Sequence, residues 1–250
     1  MGGILNIKNN IKTIKKPKVI LFDTFGTIVD WRNSIKKAGE QIANRKNIHN
    51  IDWDAFARSW RAGYHPGMLK VQTGERPWVS IDKIHREQLD KILFNFNIDQ
   101  LFTESEKIEF NLLWHKLDAW PDSVPGLTRI KKKFLIGPLS NGSLILLASM
   151  AKRASIPWDF ILSSDTFKAY KKDAKIYLGA IDLIGIKPCE ILMVAAHNDD
   201  LKAARSHGMG TAFVNRPSEY GIDQTKDFDA EEKWDFITAS IEDLATDLGC

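Results

Sequence analysis

The chain has 250 residues, a length that accommodates one large domain or a domain with an insertion. Its hydrophobic content of 44% and charged content of 27% are typical of a globular protein with a sizeable core. A net charge of +3 is too small to indicate a nucleic-acid partner or an anionic membrane. No apolar run reaches the roughly 20 residues that a membrane span needs.

Residues 1–17 are predicted to form a solvated N-terminal extension. Lysines cluster in it and at its end, at Lys8, Lys12, Lys15, Lys16 and Lys18. Arginine and serine, which organelle-targeting segments favour, are scarce there, so a targeting role is the weaker hypothesis. Because Cys189 and Cys250 form neither a disulfide framework nor a metal-binding motif, we expect a reduced, cytoplasmic protein.

The first predicted element is a strand that ends in a carboxylate. The run "KVILFD", residues 18–23, is almost continuously apolar, which is typical of a strand buried on both faces. Asp23 closes the run, a glycine-containing turn follows, and Thr27 comes four residues after the acid. Such a carboxylate could be a nucleophile, a metal ligand or a base, but it could also cap a helix or form a turn.

A long helical insertion with no strand pattern is predicted next. Apolar residues recur in it at helical spacing: Trp53, Phe56, Trp60 and Tyr64; Leu89, Ile92 and Leu93; and Leu113, Trp114, Leu117 and Trp120. We expect residues 33–119 to form a cap over a core that comprises residues 18–32 and 120–250. The segment "PDSVPGL" is the expected return linker, because its prolines and glycine would end a helix.

Strands and helices alternate after the insertion. The strand segments are "KKFLIGPLSNGS", "FILSSD", "EILMVAAHNDD" and "TAFVN", and the predicted helices are Leu144 to Ala154, Ala174 to Leu183 and Asp200 to His207. This alternation predicts an α/β fold with a Rossmann-like, doubly wound parallel sheet. Ligands bind such sheets beyond the carboxyl ends of the strands.

Polar residues cluster at those strand ends. They are Asp23, Ser140 with Asn141, Ser163 with Ser164, and His197 to Asp200. The "SNGS" turn offers hydrogen-bond donors at a helix start, which suits an anion, and Lys171 could keep Asp23 ionised. Each residue alone has a structural explanation, and it is their convergence on one crevice that favours a site.

Four segments together resemble the motifs of the haloacid dehalogenase superfamily. They are "DTFGT", "SNGS", the lysine of "AYKKDAKIY" and the acidic "AAHNDDLKAARSHG", and the resemblance extends from about Lys18 to Pro217. It implies that superfamily's Rossmann-like core with a small helical cap. The family often has proline after the lysine of the third motif, whereas Lys171 is followed by Lys172 here.

Two departures separate this sequence from the phosphatases of the superfamily. Phe25 stands in place of their second acid and cannot transfer a proton, and Ala195 replaces the first acid of their fourth motif, leaving Asp200. Too few oxygen ligands remain for octahedral Mg²⁺, so we expect no metal and no cofactor. Asp23 would then be a nucleophile whose leaving group departs as a stable anion and needs no acid.

The segments "DTFGTIVDWR" and "SWRAGYHPGM" resemble the L-2-haloacid dehalogenases. This resemblance implies that Asp23 displaces halide from a short 2-haloalkanoic acid and that water hydrolyses the resulting ester to a 2-hydroxy acid of inverted configuration. The implied catalytic residues are Asp23, Thr27, Arg61, Ser140, Lys171, Tyr177, His197 and Asp200. The implied substrate-binding residues are Thr24, Phe25, Arg61, Trp78, Ser140, Asn141 and Asn198.

The resemblance also implies individual roles. Arg61 would receive the halide with help from Asn141, and Ser140 would bind the substrate carboxylate together with backbone N–H groups. Thr27 would orient Asp23, Lys171 would neutralise the carboxylates with Tyr177 nearby, and Trp60 and Trp78 would line an apolar pocket.

His197 lies where several of these enzymes have asparagine or another polar residue. A neutral imidazole there could take a proton from the hydrolytic water, and Asn198 and Asp200 are the alternatives for positioning that water. A purely structural histidine is the other possibility.

Two further functions stay open on the sequence: a phosphatase of the same fold and a non-catalytic protein that binds small anions. The expected partners are a small 2-haloacid and a halide ion, with no nucleic acid and no membrane. The aromatic-rich insertion also permits a homodimer.

Overall fold

The computed structural model describes residues 17–250, so the lysine cluster up to Lys16 in the predicted extension lies outside the described residues. The strands are β1 (Val19–Phe22), β2 (Val29–Asp30), β3 (Asp118–Ala119), β4 (Leu135–Ser140), β5 (Leu162–Ser163), β6 (Ile191–Ala195), β7 (Gly210–Val214) and β8 (Phe236–Thr238). The helices are α1 (Trp31–Lys46), α2 (Trp53–Gln72), α3 (Ile81–Asn95), α4 (Glu104–Asn111), α5 (Ser123–Lys131), α6 (Leu144–Ala154), α7 (Ser164–Phe167), α8 (Ala174–Ile184), α9 (Asn198–Ser206) and α10 (Ile241–Asp247).

The main sheet is parallel and has the strand order β5-β4-β1-β6-β7-β8. Val19 and Leu21 of β1 pack into one hydrophobic cluster, whereas Ile20 and Phe22 pack into the other. Because side chains alternate along a strand, both faces of β1 are covered, as its continuous apolar run predicts. The predicted doubly wound α/β fold is confirmed, and β1 lies at its centre.

The helix and strand predictions after the insertion hold with small differences. Helix α6 coincides with the predicted range, and α9 begins at Asn198, before the predicted start, because acids such as Asp199 are favoured in a first helical turn. Strand β8 is not predicted, since it has three residues at the sheet edge and Ile237 in it is exposed. No helix within residues 17–250 is both long and apolar enough to cross a membrane.

The inserted segment packs around an aromatic core. Helix α2 buries the predicted stripe of Trp53, Phe56, Trp60 and Tyr64 on one face. The rings of Phe56 and Phe110 stack with centroids 5.6 Å apart, and Trp114 meets Trp60 edge to face at 5.5 Å. Aromatic pairs in these arrangements add to the stabilisation that burial provides.

A short antiparallel ribbon joins the two ends of the inserted segment. Strands β2 and β3 pair Val29 with Ala119 and Asp30 with Asp118, so the prediction that the insertion contains no strand is wrong. Each strand has two residues, which is too short to show a pattern in sequence. Helix α1 begins at Trp31, directly after β2, so the predicted boundary at residue 33 falls inside this helix.

The segment "PDSVPGL", residues 121–127, contains the beginning of α5, so its prediction as a linker is wrong. Pro125 lies in the first turn of the helix, where a backbone N–H has no intrahelical partner to lose. Gly126 lets α5 approach α10 closely, because a Cβ there would lie 2.6 Å from the backbone carbonyl carbon of Ile241.

We predict that Gly126→Ala destabilises the protein by about 1–3 kcal/mol, because the added methyl group must push α5 away from α10. Thr128→Ala on the exposed side of the same helix is the matched control, with an expected change below about 0.5 kcal/mol. Urea denaturation measures both variants, and equal free energies of unfolding would contradict the close packing.

Candidate active site

Asp23 lies directly after β1, at the edge where the carboxyl ends of the parallel strands meet. The Thr27 hydroxyl donates a 2.8 Å hydrogen bond to Oδ2 of Asp23 and accepts a 2.9 Å bond from the backbone N–H of Ala196. Gly26 has a φ of +90°, and a Cβ there would collide with the side chain of Glu219. The turn therefore fixes the direction of the Asp23 carboxylate.

The ammonium group of Lys171 lies between two carboxylates. Its Nζ is 3.2 Å from Oδ1 of Asp23 and 2.7 Å from Oδ2 of Asp200, and its side chain is 4% exposed. The hydroxyl of Tyr177 donates a 2.6 Å hydrogen bond to the other oxygen of Asp200. Lys171 thus bridges Asp23 and Asp200, and the hydrogen bond from Tyr177 fixes the orientation of the Asp200 carboxylate.

Two contacts decide which of the adjacent lysines belongs to the site. The exposed side chain of Lys172 pairs with Asp199 at the surface. The backbone N–H of Lys171 donates a 2.7 Å hydrogen bond to Oδ1 of Asn141, which fixes that residue beside the strand ends. Lys171 therefore points inward.

Charge pairing sets the ionisation states of Asp23, Lys171 and Asp200. Burial raises the pKa of Asp23, but the charge of Lys171 and a hydrogen bond from His197 outweigh it and hold the pKa below its ordinary value. Burial lowers the pKa of Lys171, yet Asp200 and Asp23 together raise it above the usual value. Burial is the largest effect on Asp200 and raises its pKa, although Lys171 opposes it. At neutral pH Asp23 is therefore a carboxylate paired with an ammonium.

His197 connects Asp23 to a second buried carboxylate, Glu219, which the sequence analysis misses. Its Nδ1 lies 3.2 Å from Oδ2 of Asp23, and its Nε2 lies 3.0 Å from Oε2 of Glu219. Glu219 also accepts a 2.9 Å hydrogen bond from the indole N–H of Trp31. The signal that could have found Glu219 is its place in the loop after β7, whose carboxyl end lies on the same sheet edge.

The ionised carboxylates of Asp23 and Glu219 favour the protonated form of His197. Burial lowers its pKa, but the charge of Glu219 and the contacts with Asp23 outweigh it and raise the pKa well above 6.5. Burial raises the pKa of Glu219, and His197 lowers it below its ordinary value. The two neighbouring carboxylates therefore favour the imidazolium form of the ring, and the base role of a neutral imidazole stays a prediction.

Arg61 on α2 adds a second cation near Glu219. Its Cζ lies 4.7 Å from the ring centroid of Tyr64, and the corresponding distances to Trp31 and Phe25 are 5.5 and 6.0 Å. Its Nη2 is 4.0 Å from Oε1 of Glu219, and its buried Nη1 has no hydrogen-bond partner within residues 17–250. A desolvated guanidinium with a free donor among aromatic rings can bind an anion.

These groups surround a cavity of about 500 Å³ between the sheet edge and the inserted helices. Of the predicted site residues, those that line it are Asp23, Phe25, Arg61, Asn141, Lys171, His197 and Asp200. Trp31, Tyr64 and Met68 add apolar surface to the lining. The cavity therefore combines apolar surface with charged side chains of both signs, and its cations suit a small organic anion.

Four predicted site residues act behind the lining or in the turns. Thr27 and Tyr177 reach the site through their hydrogen bonds to Asp23 and Asp200. Ser140 is buried, and its hydroxyl accepts the N–H of Gly142, so it shapes the turn instead of facing the cavity. The buried Thr24 holds the turn after β1 through its carbonyl, which accepts two backbone N–H groups.

Three other predicted residues are not brought to the cavity. Trp78 packs on Tyr170 with ring centroids 4.9 Å apart, and Trp60 is buried among the inserted helices, where it donates to the carbonyl of His85. The Asn198 amide donates to Asp227 and accepts from the indole of Trp234. The predictions that Trp60 and Trp78 line the pocket and that Asn198 binds substrate or positions water are therefore corrected, because these side chains are used in packing and in holding a loop.

The residues present do not fit a magnesium ion. Within the part of the chain that the structure describes, no group of three or more His, Cys, Asp or Glu residues could hold a metal. The ammonium of Lys171 lies between Asp23 and Asp200, where the cation would need oxygen ligands. Ala195 at the end of β6 supplies no ligand.

Comparison with known proteins places this arrangement among hydrolases. The family described as haloacid dehalogenase-like hydrolase matches residues 17–208. An (S)-2-haloacid dehalogenase of Pseudomonas sp. (strain YL) is 32% identical over 204 residues, which cover 80% of this chain and 83% of that protein. (S)-2-haloacid dehalogenase 4A of Burkholderia cepacia is 24% identical over 211 residues, covering 81% of this chain and 86% of that protein.

Solved structures of similar proteins agree with the sequence relatives. A defluorinating L-2-haloacid dehalogenase superposes with a TM-score of 0.92 at 45% identity, covering 95% of this chain and 97% of its own. A second L-2-haloacid dehalogenase gives a TM-score of 0.88 at 38% identity, covering 93% of this chain and 99% of its own.

We predict that Lys171→Met destabilises the protein in a pH-dependent way. Without the ammonium, Asp23 and Asp200 are buried without a cation between them, and breaking a buried pair costs about 3–5 kcal/mol at pH 8. A carboxyl group whose pKa is higher in the folded than in the unfolded state makes the folded protein less stable as the pH rises from the unfolded pKa toward the folded pKa. The loss should therefore be smaller at pH 5 than at pH 8.

Urea denaturation of Lys171→Met and Lys172→Met at both pH values is the measurement. Lys172→Met removes an exposed ammonium from the adjacent position and should cost less than about 1 kcal/mol. A destabilisation by Lys171→Met that is the same at pH 5 and pH 8 would show that the two carboxylates do not depend on this cation.

Proposed function

Because the chain belongs to the haloacid dehalogenase-like hydrolases, we propose that it hydrolyses the carbon–halogen bond of short (S)-2-haloacids to 2-hydroxy acids with inversion. The observation that carries the proposal is the ionised Asp23 carboxylate at the cavity, paired with Lys171 and next to Phe25. A halide leaves as a stable anion that needs no proton, so a nucleophile with Phe25 in place of a second carboxylic acid suits this reaction. The relatives named (S)- or L-2-haloacid dehalogenases at 32%, 38% and 45% identity support it.

In the first step Asp23 attacks C2 of the haloacid. A bond forms between a carboxylate oxygen and C2 while the carbon–halogen bond breaks, and its electron pair leaves with the halide. Attack opposite the leaving group inverts the configuration at C2. Arg61 receives the halide, because its free Nη1 is a buried donor within the aromatic part of the lining. No proton moves in this displacement itself.

Recognition of the substrate carboxylate falls to the "SNGS" turn. Asn141 is the residue of this turn that lines the cavity, and its Oδ1 accepts the N–H of Lys171, which fixes the orientation of the amide. We assign Asn141 and the turn backbone to the carboxylate, in place of the halide-binding role that the resemblance implies for Asn141. Ser140 supports them by accepting the N–H of Gly142.

Formation of the ester changes the protonation of His197. Alkylation removes the charge of Asp23, so one of the two carboxylates that raise the pKa of His197 is lost, while the lowering effect of burial remains. The pKa of His197 therefore falls, and the Nδ1 proton passes to solvent. Nδ1 is the ring atom that faces Asp23, and Nε2–H stays on Glu219.

In the second step the neutral His197 acts as the base for water. Water attacks the carbonyl carbon of the Asp23 ester and gives one proton to Nδ1. The bond between the carbonyl carbon of Asp23 and the oxygen on C2 breaks, and this departing oxygen of the 2-hydroxy acid takes that proton. Asp23 then ionises, and its proton restores the imidazolium. His197 thus acts as a base only in the ester intermediate, where its ring is neutral. A neutral ring is the form that can accept a proton from water.

The wider organisation follows from the same proposal. We propose that the inserted segment between the paired strands β2 and β3, which begins with α1 at Trp31, forms the cap that supplies Arg61 over the core that carries the parallel sheet. The homodimer and the cytoplasmic location stay predictions.

Fluoroacetate is a second candidate substrate. The relative at 45% identity is named as a defluorinating enzyme. Fluoride is a small anion that needs strong hydrogen-bond donors, and the buried Nη1 of Arg61 is such a donor. We propose that fluoride release accompanies chloride and bromide release, at a lower rate.

We predict that the wild-type protein releases halide from (S)-2-chloropropionate in the presence of EDTA and that Asp23→Asn releases none, because an amide is not a nucleophile toward C2. Ion-selective electrodes measure chloride, and the same assay with fluoroacetate measures fluoride. The phosphatase hypothesis predicts hydrolysis of phosphate esters with Mg²⁺ instead, and the anion-binding hypothesis predicts no turnover of either substrate. Either of those results would overturn the proposal.

We predict that His197→Asn still forms the ester but hydrolyses it about 10²- to 10⁴-fold more slowly, because the base is missing. Glu219→Gln should slow hydrolysis to a smaller extent, since it removes the charge that raises the pKa of His197 most. Mass spectrometry of the intact protein detects the ester as an added mass that disappears with Asp23→Asn.

The matched control for the second variant is Glu232→Gln, which changes an exposed glutamate paired with Arg205. It should hydrolyse the ester at the wild-type rate. Rapid turnover by His197→Asn without accumulated ester would rule out the base assignment.

A further inference from the structure

The segment that carries Lys171 is held by the inserted helices as well as by the core. The side-chain amide of Gln72, the last residue of α2, donates 3.1 Å hydrogen bonds to the carbonyls of Tyr170 and Lys171. The Tyr170 hydroxyl donates a 2.7 Å hydrogen bond in the other direction, to the carbonyl of Val79. The ring of Trp78 packs on the ring of Tyr170.

The backbone of Lys171 is therefore fixed on both sides. Its N–H donates to Asn141 of the core turn, and its carbonyl accepts from Gln72 of the inserted segment. A lysine side chain has a four-carbon stem of limited length, so the position of the backbone limits which atoms the ammonium can reach. The ammonium must reach both Asp23 at 3.2 Å and Asp200 at 2.7 Å.

Gln72 shares helix α2 with Arg61, the residue assigned to the halide. The two positions are eleven residues apart along one helix, or about 16 Å. The same helix thus brings an anion-binding group to one part of the cavity and a hydrogen-bond donor to the backbone behind the lysine.

We propose that Gln72 is a positioning residue that couples the placement of the inserted helices to the placement of the Lys171 ammonium. The proposal rests on the proposed function, because it assigns Gln72 a role in the alkylation of Asp23. When Gln72 holds the two carbonyls, Lys171 neutralises Asp23 and Asp200 at once. When α2 moves away, the lysine loses its anchor on the carbonyl side and the nucleophile loses its fixed counter-ion.

The test compares Gln72→Met with Gln100→Met. Methionine has a similar length and no donor, and Gln100 is an exposed glutamine of the inserted segment that bonds to its neighbour Asp99. We expect kcat for halide release from (S)-2-chloropropionate to fall about 10- to 100-fold in Gln72→Met and to stay at the wild-type value in Gln100→Met.

The pH profile separates positioning from a general structural defect. A displaced ammonium opposes the effect of burial on Asp23 less well, so the acid limb of kcat/KM should move to higher pH in Gln72→Met. An increase in KM with an unchanged kcat and an unchanged acid limb would overturn the proposal, since it would mean that Gln72 affects substrate binding alone.

Amide hydrogen exchange supplies a readout that does not depend on turnover. The N–H of Lys171 should exchange about tenfold faster in Gln72→Met than in Gln100→Met, because two hydrogen bonds to this segment are lost. Unchanged exchange would overturn the positioning role. If wild-type protein releases no halide from any haloacid, the proposed function fails, and faster exchange would still support the structural part of this inference.

Discussion

The ion pair between Asp23 and Lys171 is the interaction on which the site depends. A buried carboxylate without a partner costs several kcal/mol, and such a group becomes protonated instead of staying charged. With the Lys171 ammonium 3.2 Å away, Asp23 stays ionised in a place from which water can be excluded. The same ammonium lies 2.7 Å from Asp200, so removal of one group changes the charge state of the other two.

The charges extend beyond this pair in alternating sign. From Asp23 they continue to His197, to Glu219 and then to Arg61, so that each buried charge has a neighbour of opposite sign. The members come from different parts of the chain, and the parallel sheet brings all but Arg61 to one edge. Because the network is balanced only while Asp23 is charged, esterification changes the proton affinity of His197 without any movement of the protein.

Much of the fold and part of the site could be predicted from the sequence. The continuous apolar run of β1 predicts a strand that is covered on both faces. Asp23 and Lys171 lie in recognisable motifs whose order along the chain fits one family. Phe25 and Ala195 are informative, because neither side chain can transfer a proton or bind a metal through an oxygen atom. These inferences depend on local patterns, which a sequence displays directly.

The rest depends on packing between distant segments. Glu219 follows β7 in a loop without periodicity, so nothing in its neighbours shows that it is buried against His197. Trp60 and Trp78 are residue types that often line binding pockets, but here Trp60 is buried among the inserted helices and Trp78 packs on Tyr170. Gln72 belongs to no motif, and its contacts appear only when α2 is placed against the segment that carries Lys171.

The proposed mechanism requires that His197 is protonated at rest and becomes a base only when Asp23 is esterified. The most direct measurement is a stopped-flow experiment with a pH indicator, compared with quenched samples that follow halide and 2-hydroxy acid in the first turnover. We expect one proton per active site to appear with the first halide, before the hydroxy acid. A proton that appears only with the hydroxy acid would contradict this account.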